Sequence, residues 1–229
     1  MRVGVLGGTF DPFHEGHRQL ATMVRGRVAL DEVWIMVAGE PPHKRSVPLT
    51  SRWHRFAMAV LGTLHEPGLR VSTLELDRPG PSYTVDTLDT LRRRYPGWEF
   101  CFIAGADALR EITAWRQCVR LLREHCFIFV AREGVDVGLT ELVLDGGERF
   151  RIEAAPKDQP VRLAPGGLFL LDDLTPPPVS GTELRRALAA GRQPAPDKLS
   201  PLVCEYIQKY RLYEENSAVG SLGQGLPGH

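Results

Sequence analysis

Apolar residues along the chain fall into two alternating patterns. Short continuous runs, Val33–Val37 and Phe100–Ala104, have the profile of strands covered on both faces. Val3–Leu6, Cys126–Val130 and Leu168–Leu171 also read as strands, and Leu69, Val71 and Thr73 alternate as strand residues do. Between these runs, apolar residues recur at helical spacing. Leu20, Met23, Val24 and Val28 form one stripe. Thr50 is predicted to cap a helix that carries Trp53, Phe56, Ala57, Val60, Leu61 and Leu64 on its inner side. Ser82 is predicted to cap another, with Val85, Leu88 and Leu91 facing inward, and Leu121 and Leu122 mark a further helix. Ser180 is placed to cap a helix through about Ala190, and Val203, Ile207 and Tyr210 form the apolar side of a last one.

This alternation predicts an α/β architecture. The sheet should be Rossmann-like, doubly wound and mostly parallel, with helices on both faces and a small C-terminal helical portion. Residues 1–213 read as a single domain, with the C-terminal helices in 180–213. Residues 134–167 show no dominant period and read as an elaborated connection, a helical turn plus a short hairpin. Residues 214–229 are polar and Gly-rich and are expected to form a disordered tail. Ligands of such sheets bind beyond the carboxyl ends of the strands. The Gly7-Gly8 turn, Gly39, Gly105 and Arg132 all follow strands and should line that edge.

Composition narrows the classes. The 229 residues carry 28 Lys+Arg against 28 Asp+Glu, so the net charge is zero. That argues against a nucleic-acid coat or a membrane-surface protein, which would carry a basic excess. With 43% hydrophobic and 24% charged residues the chain has the make-up of a soluble globular protein. No apolar run approaches the ~18 residues a membrane span needs. The chain enters a strand at once, which is expected to leave no room for a signal peptide. Cys101, Cys118, Cys126 and Cys204 form no Cys-x-x-Cys pair, so a reduced cytoplasmic setting is expected.

Candidate chemistry begins directly after the first strand, in Gly7-Gly-Thr-Phe-Asp-Pro-Phe-His14-Glu-Gly-His17. Glycines let the backbone approach a bulky anion, and a helix N-terminus offers unpaired N–H groups. His14 and His17, at i and i+3, should share one face of the first helical turn. The plain alternative is a βα turn with two solvent-facing histidines. A zinc site is another alternative, but it would need a third ligand that no nearby spacing supplies. The spacing fits neither a P-loop nor a dinucleotide-binding Gly-x-Gly-x-x-Gly.

Four further segments stand at predicted strand ends. Pro41-Pro-His43-Lys44-Arg45 adds cations to an extended loop. Pro81-Ser-Tyr-Thr84-Val85 opens a helix whose first N–H groups can meet a carboxylate or amide. Gly105-Ala-Asp107 places a carboxylate where ribose hydroxyls could bind, and Trp115 follows in a polar stretch, suited to stack on a flat ring or to pack the core. Ser180-Gly-Thr182-Glu-Leu-Arg185 gathers hydroxyls, amides and a guanidinium at a helix start; Ser180 with Glu183 also has the pattern of a capping box.

Taken in order, these segments resemble one family, the bacterial nicotinate-nucleotide adenylyltransferases of the His-x-Gly-His nucleotidyltransferase superfamily. The matching stretches are GGTFDPFHEGH, PPHK, the run Thr50 to Arg55, SYTVDTL, GADAL with Trp115, SGTELR, and the ending from Leu199 to Tyr213. They span residues 1–213. Gly181 stands where the family usually has a second serine, and 134–167 looks longer and more Gly-rich than usual, which could reshape oligomer contacts or the rim of an adenine pocket.

The resemblance implies transfer of AMP from ATP to nicotinate mononucleotide. It implies Gly7, Gly8, Thr9, Phe10, His14, His17, Gly105, Asp107, Ser180, Thr182 and Arg185 around ATP, with His14, His17 and Arg185 carrying the chemistry. Thr9, Lys44, Tyr83, Thr84, Val85 and Trp115 would hold the mononucleotide. Magnesium would be bound mainly through the ATP phosphates, with no metal site of the protein's own. Neither nucleic acid nor membrane is expected as a partner; a homo-oligomer is compatible with the chain.

Overall fold

The computed structural model describes residues 1–42, 48–131, 141–144, 146–157 and 159–214. Nine strands and six α-helices follow one another among these residues. The first half runs β1 (Arg2–Gly8), α1 (Glu15–Val28), β2 (Glu32–Val37), α2 (Arg52–Thr63), β3 (Leu69–Ser72) and α3 (Thr84–Arg94). Then come β4 (Glu99–Gly105), two 3-10 turns over Ala106–Arg110 and Ile112–Ala114, α4 (Cys118–Glu124) and β5 (Cys126–Val130). Short strands β6 (Glu141–Val143), β7 (Arg149–Arg151) and β8 (Glu153–Ala154) precede β9 (Leu168–Leu171), and α5 (Gly181–Ala189) and α6 (Pro201–Lys209) close the fold.

Seven strands form one sheet in the order β3-β2-β1-β4-β5-β9-β8, and every pairing in it is parallel. Chain order reverses between β1 and β4, which lie side by side. This is the switch point where open α/β sheets bind ligands. The expected hairpin in 134–167 is β6 with β7, antiparallel, Leu142 opposite Phe150. Strand β8, which no periodicity marked, adds an edge beside β9; its two residues are both exposed.

Side chains alternate across the sheet and fill a core on each face. Val5, Trp34, Phe102, Phe127 and Phe129 meet Val85, Leu88 and Leu91 of α3 and Leu121 and Leu122 of α4. On the other face Leu6, Ile35, Ile103 and Ile128 meet Leu20, Ala21, Val24 and Val28 of α1 and Ala59 of α2. A third cluster joins Met58 of α2 to Leu184 of α5 and to Leu199, Val203, Cys204 and Ile207. It seats the C-terminal helices against α2.

Helix α2 corrects the sequence reading. Trp53, Val60 and Leu64 of the expected inner stripe are exposed. The buried side is Arg55, Met58, Ala59, Gly62 and Thr63. Close approach explains it: a Cβ on Gly62 would sit 2.4 Å from the ring of Phe13. The helix therefore turns a small and polar face inward and leaves bulk outside. Tyr210, expected on the inner side of the last helix, is also exposed. Two caps differ as well. Ser51, not Thr50, is the N-cap of α2, because the Thr50 N–H is bonded to Asp11 and its carbonyl to Arg55. Tyr83, not Ser82, is the N-cap of α3, because the Ser82 hydroxyl accepts from the Gly39 N–H at 3.0 Å.

Candidate active site

The chain leaves β1 through Gly7, Gly8 and Thr9 and bends sharply at Phe10, whose φ is 53°. His14 is the extended N-cap of α1, and His17 occupies the third helical position. Their rings stack, centroids 3.6 Å apart and 17° from parallel. His14 N–H donates to Nδ1 of His17 at 3.3 Å. An accepting Nδ1 places the proton of a neutral His17 on Nε2, making that atom a donor. Phe10 meets the His17 ring edge-on at 4.9 Å and Phe13 lies 5.5 Å away, so the imidazole is held by aromatic walls. The backbone at Gly16 runs close by: a Cβ there would stand 3.2 Å from the His14 ring and from the Pro177 carbonyl, a tight contact. Among the described residues the one group of three possible metal ligands, Asp89, Glu124 and His125, does not include the two histidines.

Helix α5 comes to the same place. Ser180 caps it, its Oγ accepting from the Glu183 N–H at 3.4 Å. Arg185 then donates from Nη1 to the Asp11 carbonyl at 2.6 Å and from Nη2 to Thr182 Oγ1 at 3.2 Å. The first and last motifs, far apart in sequence, thus share one edge. Gly181 lies within 3.6 Å of the Asp11 carbonyl, measured from where its Cβ would stand.

Beside this edge is a cavity of about 200 Å³. Gly7, Gly8 and Thr9 form one side, Pro41 and Pro42 another, and Tyr83, Thr84 and Val85 a third. Trp115 and Arg116 face them, with Phe102 and Glu75 in the wall. The Trp115 ring stands edge-on to Phe102, centroids 5.8 Å apart at 89°, so it both packs on the core and borders the cavity. Gly105 ends β4 and Asp107 lies in the 3-10 turn that follows, both outside the cavity lining. His43, Lys44 and Arg45, and Arg132, lie outside the described residues.

Three participants escaped the sequence reading as site residues. Arg116 lies over the Tyr83 ring at 4.7 Å and pairs with Asp86 at 3.3 Å, putting a cation at the rim. Arg55 is 2% exposed. Its Nη1 donates to the carbonyls of Thr9 and Ala38, both at 2.8 Å, its Nη2 to Gly39 at 3.1 Å and its Nε to Thr50 at 3.0 Å. One guanidinium thus ties the exits of β1 and β2 together. Burial lowers its pKa from the usual guanidinium value, and Asp11 opposes that shift. Glu75 is the third; burial raises its carboxyl above the ordinary range, against the hydroxyls of Thr87 and Ser82. The signal for Arg55 was present only as part of the Thr50-to-Arg55 run; for Glu75 a charged residue in an apolar-polar loop offered none.

Comparison with known proteins agrees with this geometry. The cytidylyltransferase-like family matches residues 5–187. A probable nicotinate-nucleotide adenylyltransferase of Thermoanaerobacter sp. is 36% identical over 221 residues, 96% of this chain and 98% of its own. One of Thermus thermophilus is 39% identical over 214 residues, 93% of this chain and all of its own. The chain belongs to the nicotinate-nucleotide adenylyltransferases. A family fold follows: the nicotinic acid mononucleotide adenylyltransferase of Plasmodium falciparum, complexed with NaAD, superposes with a TM-score of 0.69. That match is 22% identical and covers 93% of this chain and 97% of the other. In this member of the family, the expected Rossmann-like sheet and the helical C-terminal portion are both present.

Proposed function

We propose that the protein transfers AMP from ATP to nicotinate mononucleotide, giving nicotinate adenine dinucleotide and pyrophosphate. A 5′-phosphate oxygen of the mononucleotide attacks the α-phosphorus of ATP. The bond from that phosphorus to the α–β bridging oxygen breaks, and pyrophosphate leaves with the electron pair. The attacking phosphate is already anionic at neutral pH, so no general base is needed. Rate then comes from positioning and from neutralising charge on the leaving group.

One observation supports this reading above the others. The His14–His17 stack and Arg185 converge on the loop around Asp11, next to a cavity walled by Trp115 and the Thr84–Val85 amides. Donors for a polyphosphate therefore adjoin a slot for a flat ring. His17 donates from Nε2 to the ATP phosphates, and Thr182, Ser180 and Arg185 hold the outer ones. The α3 N-terminus faces the substrate carboxylate, and Trp115 stacks on the pyridine ring. Gly105 and Asp107 serve the ATP ribose.

Magnesium, brought in on the ATP phosphates, would supply charge neutralisation to the leaving pyrophosphate. Among the described residues, the one three-ligand group, Asp89, Glu124 and His125, lies at the amino end of β5, at the opposite edge of the sheet. There Arg120 already meets Asp89 at 2.7 Å and Glu124 at 3.2 Å. A cytoplasmic setting accompanies the reading; among the described residues no helix is long and apolar enough to cross a membrane.

The test is pyrophosphate release from ATP and magnesium with nicotinate mononucleotide, nicotinamide mononucleotide or phosphopantetheine, and with CTP in place of ATP. Fastest turnover is expected with ATP and nicotinate mononucleotide. No release with that pair, or a preference for phosphopantetheine or CTP, overturns the assignment.

A further inference from the structure

Among the described residues Glu75 is the one acidic side chain in the cavity lining, and it is 7% exposed. Its Oε1 accepts from the Thr87 hydroxyl at 2.6 Å. The Ser82 hydroxyl opposes the burial that raises this carboxyl, and Ser82 Oγ accepts from the Gly39 N–H at 3.0 Å. Polar groups therefore run from the exit of β2 through Ser82 toward Glu75, which Thr87 meets from the body of α3. The backbones interlock at the same point. A Cβ on Gly39 would stand 2.5 Å from the Glu75 carbonyl oxygen, and the Ser82 N–H donates to the Glu40 carbonyl at 2.9 Å.

Ser82 and Thr87 bracket Tyr83, Thr84 and Val85, which line the cavity from the start of α3. The N–H groups of a helix's first turn have no partner within the helix and point out of its end. Where they point is set by what anchors the turn. Here the anchor is a carboxylate behind it, bonded to the Thr87 hydroxyl after the turn and influenced by the Ser82 hydroxyl before it. Hydrogen bonds to a charged acceptor are the stronger kind, and a buried hydroxyl left without one is costly.

We propose that Glu75 is a positioning residue for the mononucleotide: through Ser82 and Thr87 it aims the Thr84–Val85 amides into the cavity, and it has no share in holding ATP. This rests on the proposed reaction. Glu75 thereby sets affinity for one substrate of two, a division that a general loss of stability would not produce.

Steady-state kinetics with each substrate varied separately, on the full chain, decide the point. In Glu75→Ala the KM for nicotinate mononucleotide is expected to rise about 10-fold or more. The KM for ATP and kcat should stay within about 3-fold. Glu75→Gln keeps an acceptor and should recover most of the lost affinity. Ser82→Ala breaks the link to Gly39 but leaves Thr87 bonded, and should give an intermediate rise. If Glu75→Ala fails to fold, the Gln and Ser82→Ala variants carry the same test. Parallel rises in both KM values, a fall in kcat alone, or no change overturn the role of Glu75. Wild-type protein that is silent on ATP and nicotinate mononucleotide overturns the reaction itself, so the two failures are separable.

Discussion

The hydroxyl of Tyr213 donates to Oδ1 of Asp11 at 2.5 Å, joining the segment after α6 to the loop behind β1. Asp11 is 7% exposed and is held from three directions. Its other carboxylate oxygen accepts from the Thr50 N–H at 3.2 Å, and its carbonyl takes Arg185. Burial and the adjacent Asp11 carboxylate push the Tyr213 phenol well above its usual pKa, so it stays a donor. The C-terminal helices are thereby locked onto the loop that leaves β1. Tyr213→Phe removes one donor from a buried carboxylate. A loss of about 1–3 kcal/mol in unfolding free energy is expected, with a raised KM for ATP. Urea denaturation checks the first and kinetics the second; an unchanged midpoint counts against the lock.

His17 should act on turnover more than on folding. Its ring accepts at Nδ1 from the His14 N–H. His17→Ala is expected to lower kcat about 100-fold or more with little change in circular dichroism. Gln can place an amide NH₂ near the Nε2 position and should restore part of the rate. A kcat that survives the Ala substitution removes His17 from the transition state.

Trp115 is expected to serve the ring of the mononucleotide. Stacking on a side chain is worth about 1–3 kcal/mol per base. Trp115→Ala should therefore raise the KM for nicotinate mononucleotide about 10-fold or more and leave ATP affinity nearly unchanged. Trp115→Phe should lie between. Equal loss for both substrates would make Trp115 a core residue only, held by Phe102.

Gly181 tolerates a side chain. A Cβ there would meet Arg185 Nη1 at 3.5 Å and the Asp11 carbonyl at 3.6 Å, both ordinary contacts. Gly181→Ser should keep activity at or above the wild-type level. It should also raise stability by roughly 0.5 kcal/mol, because a glycine in a helix costs chain entropy. A clear drop in activity would show that the site needs the bare backbone.

The buried thiols predict a response to alkaline pH. Burial pushes Cys126 up to about 12 and raises Cys101 as well, from an ordinary value of 9.0. The native state then holds these protons above pH 9 while the unfolded chain releases them. Their contribution to stability is full below about pH 9 and declines as pH rises toward 12. Cys118, partly accessible, should react first with a thiol reagent at pH 8. Early labelling of Cys101 or Cys126 in the native protein would contradict this burial.

By itself the sequence determined what depends on near neighbours. Strand runs, the i, i+3 histidine pair, the cap at Ser180 and the inner face of α3 all follow from short-range spacing and local sterics. Their order then settled the parallel sheet and pointed to the edge where the cavity lies. Only the tertiary structure decided which side of α2 turns inward, since Phe13 against Gly62 and Arg55 against four carbonyls outweigh the burial of Trp53, Val60 and Leu64. It also brought Tyr213 to Asp11 across 202 residues and Arg185 to Asp11 across 174. Apolar periodicity reports how much surface an element must bury. It does not report which distant polar group will satisfy a buried charge, because that partner exists only after the chain has folded.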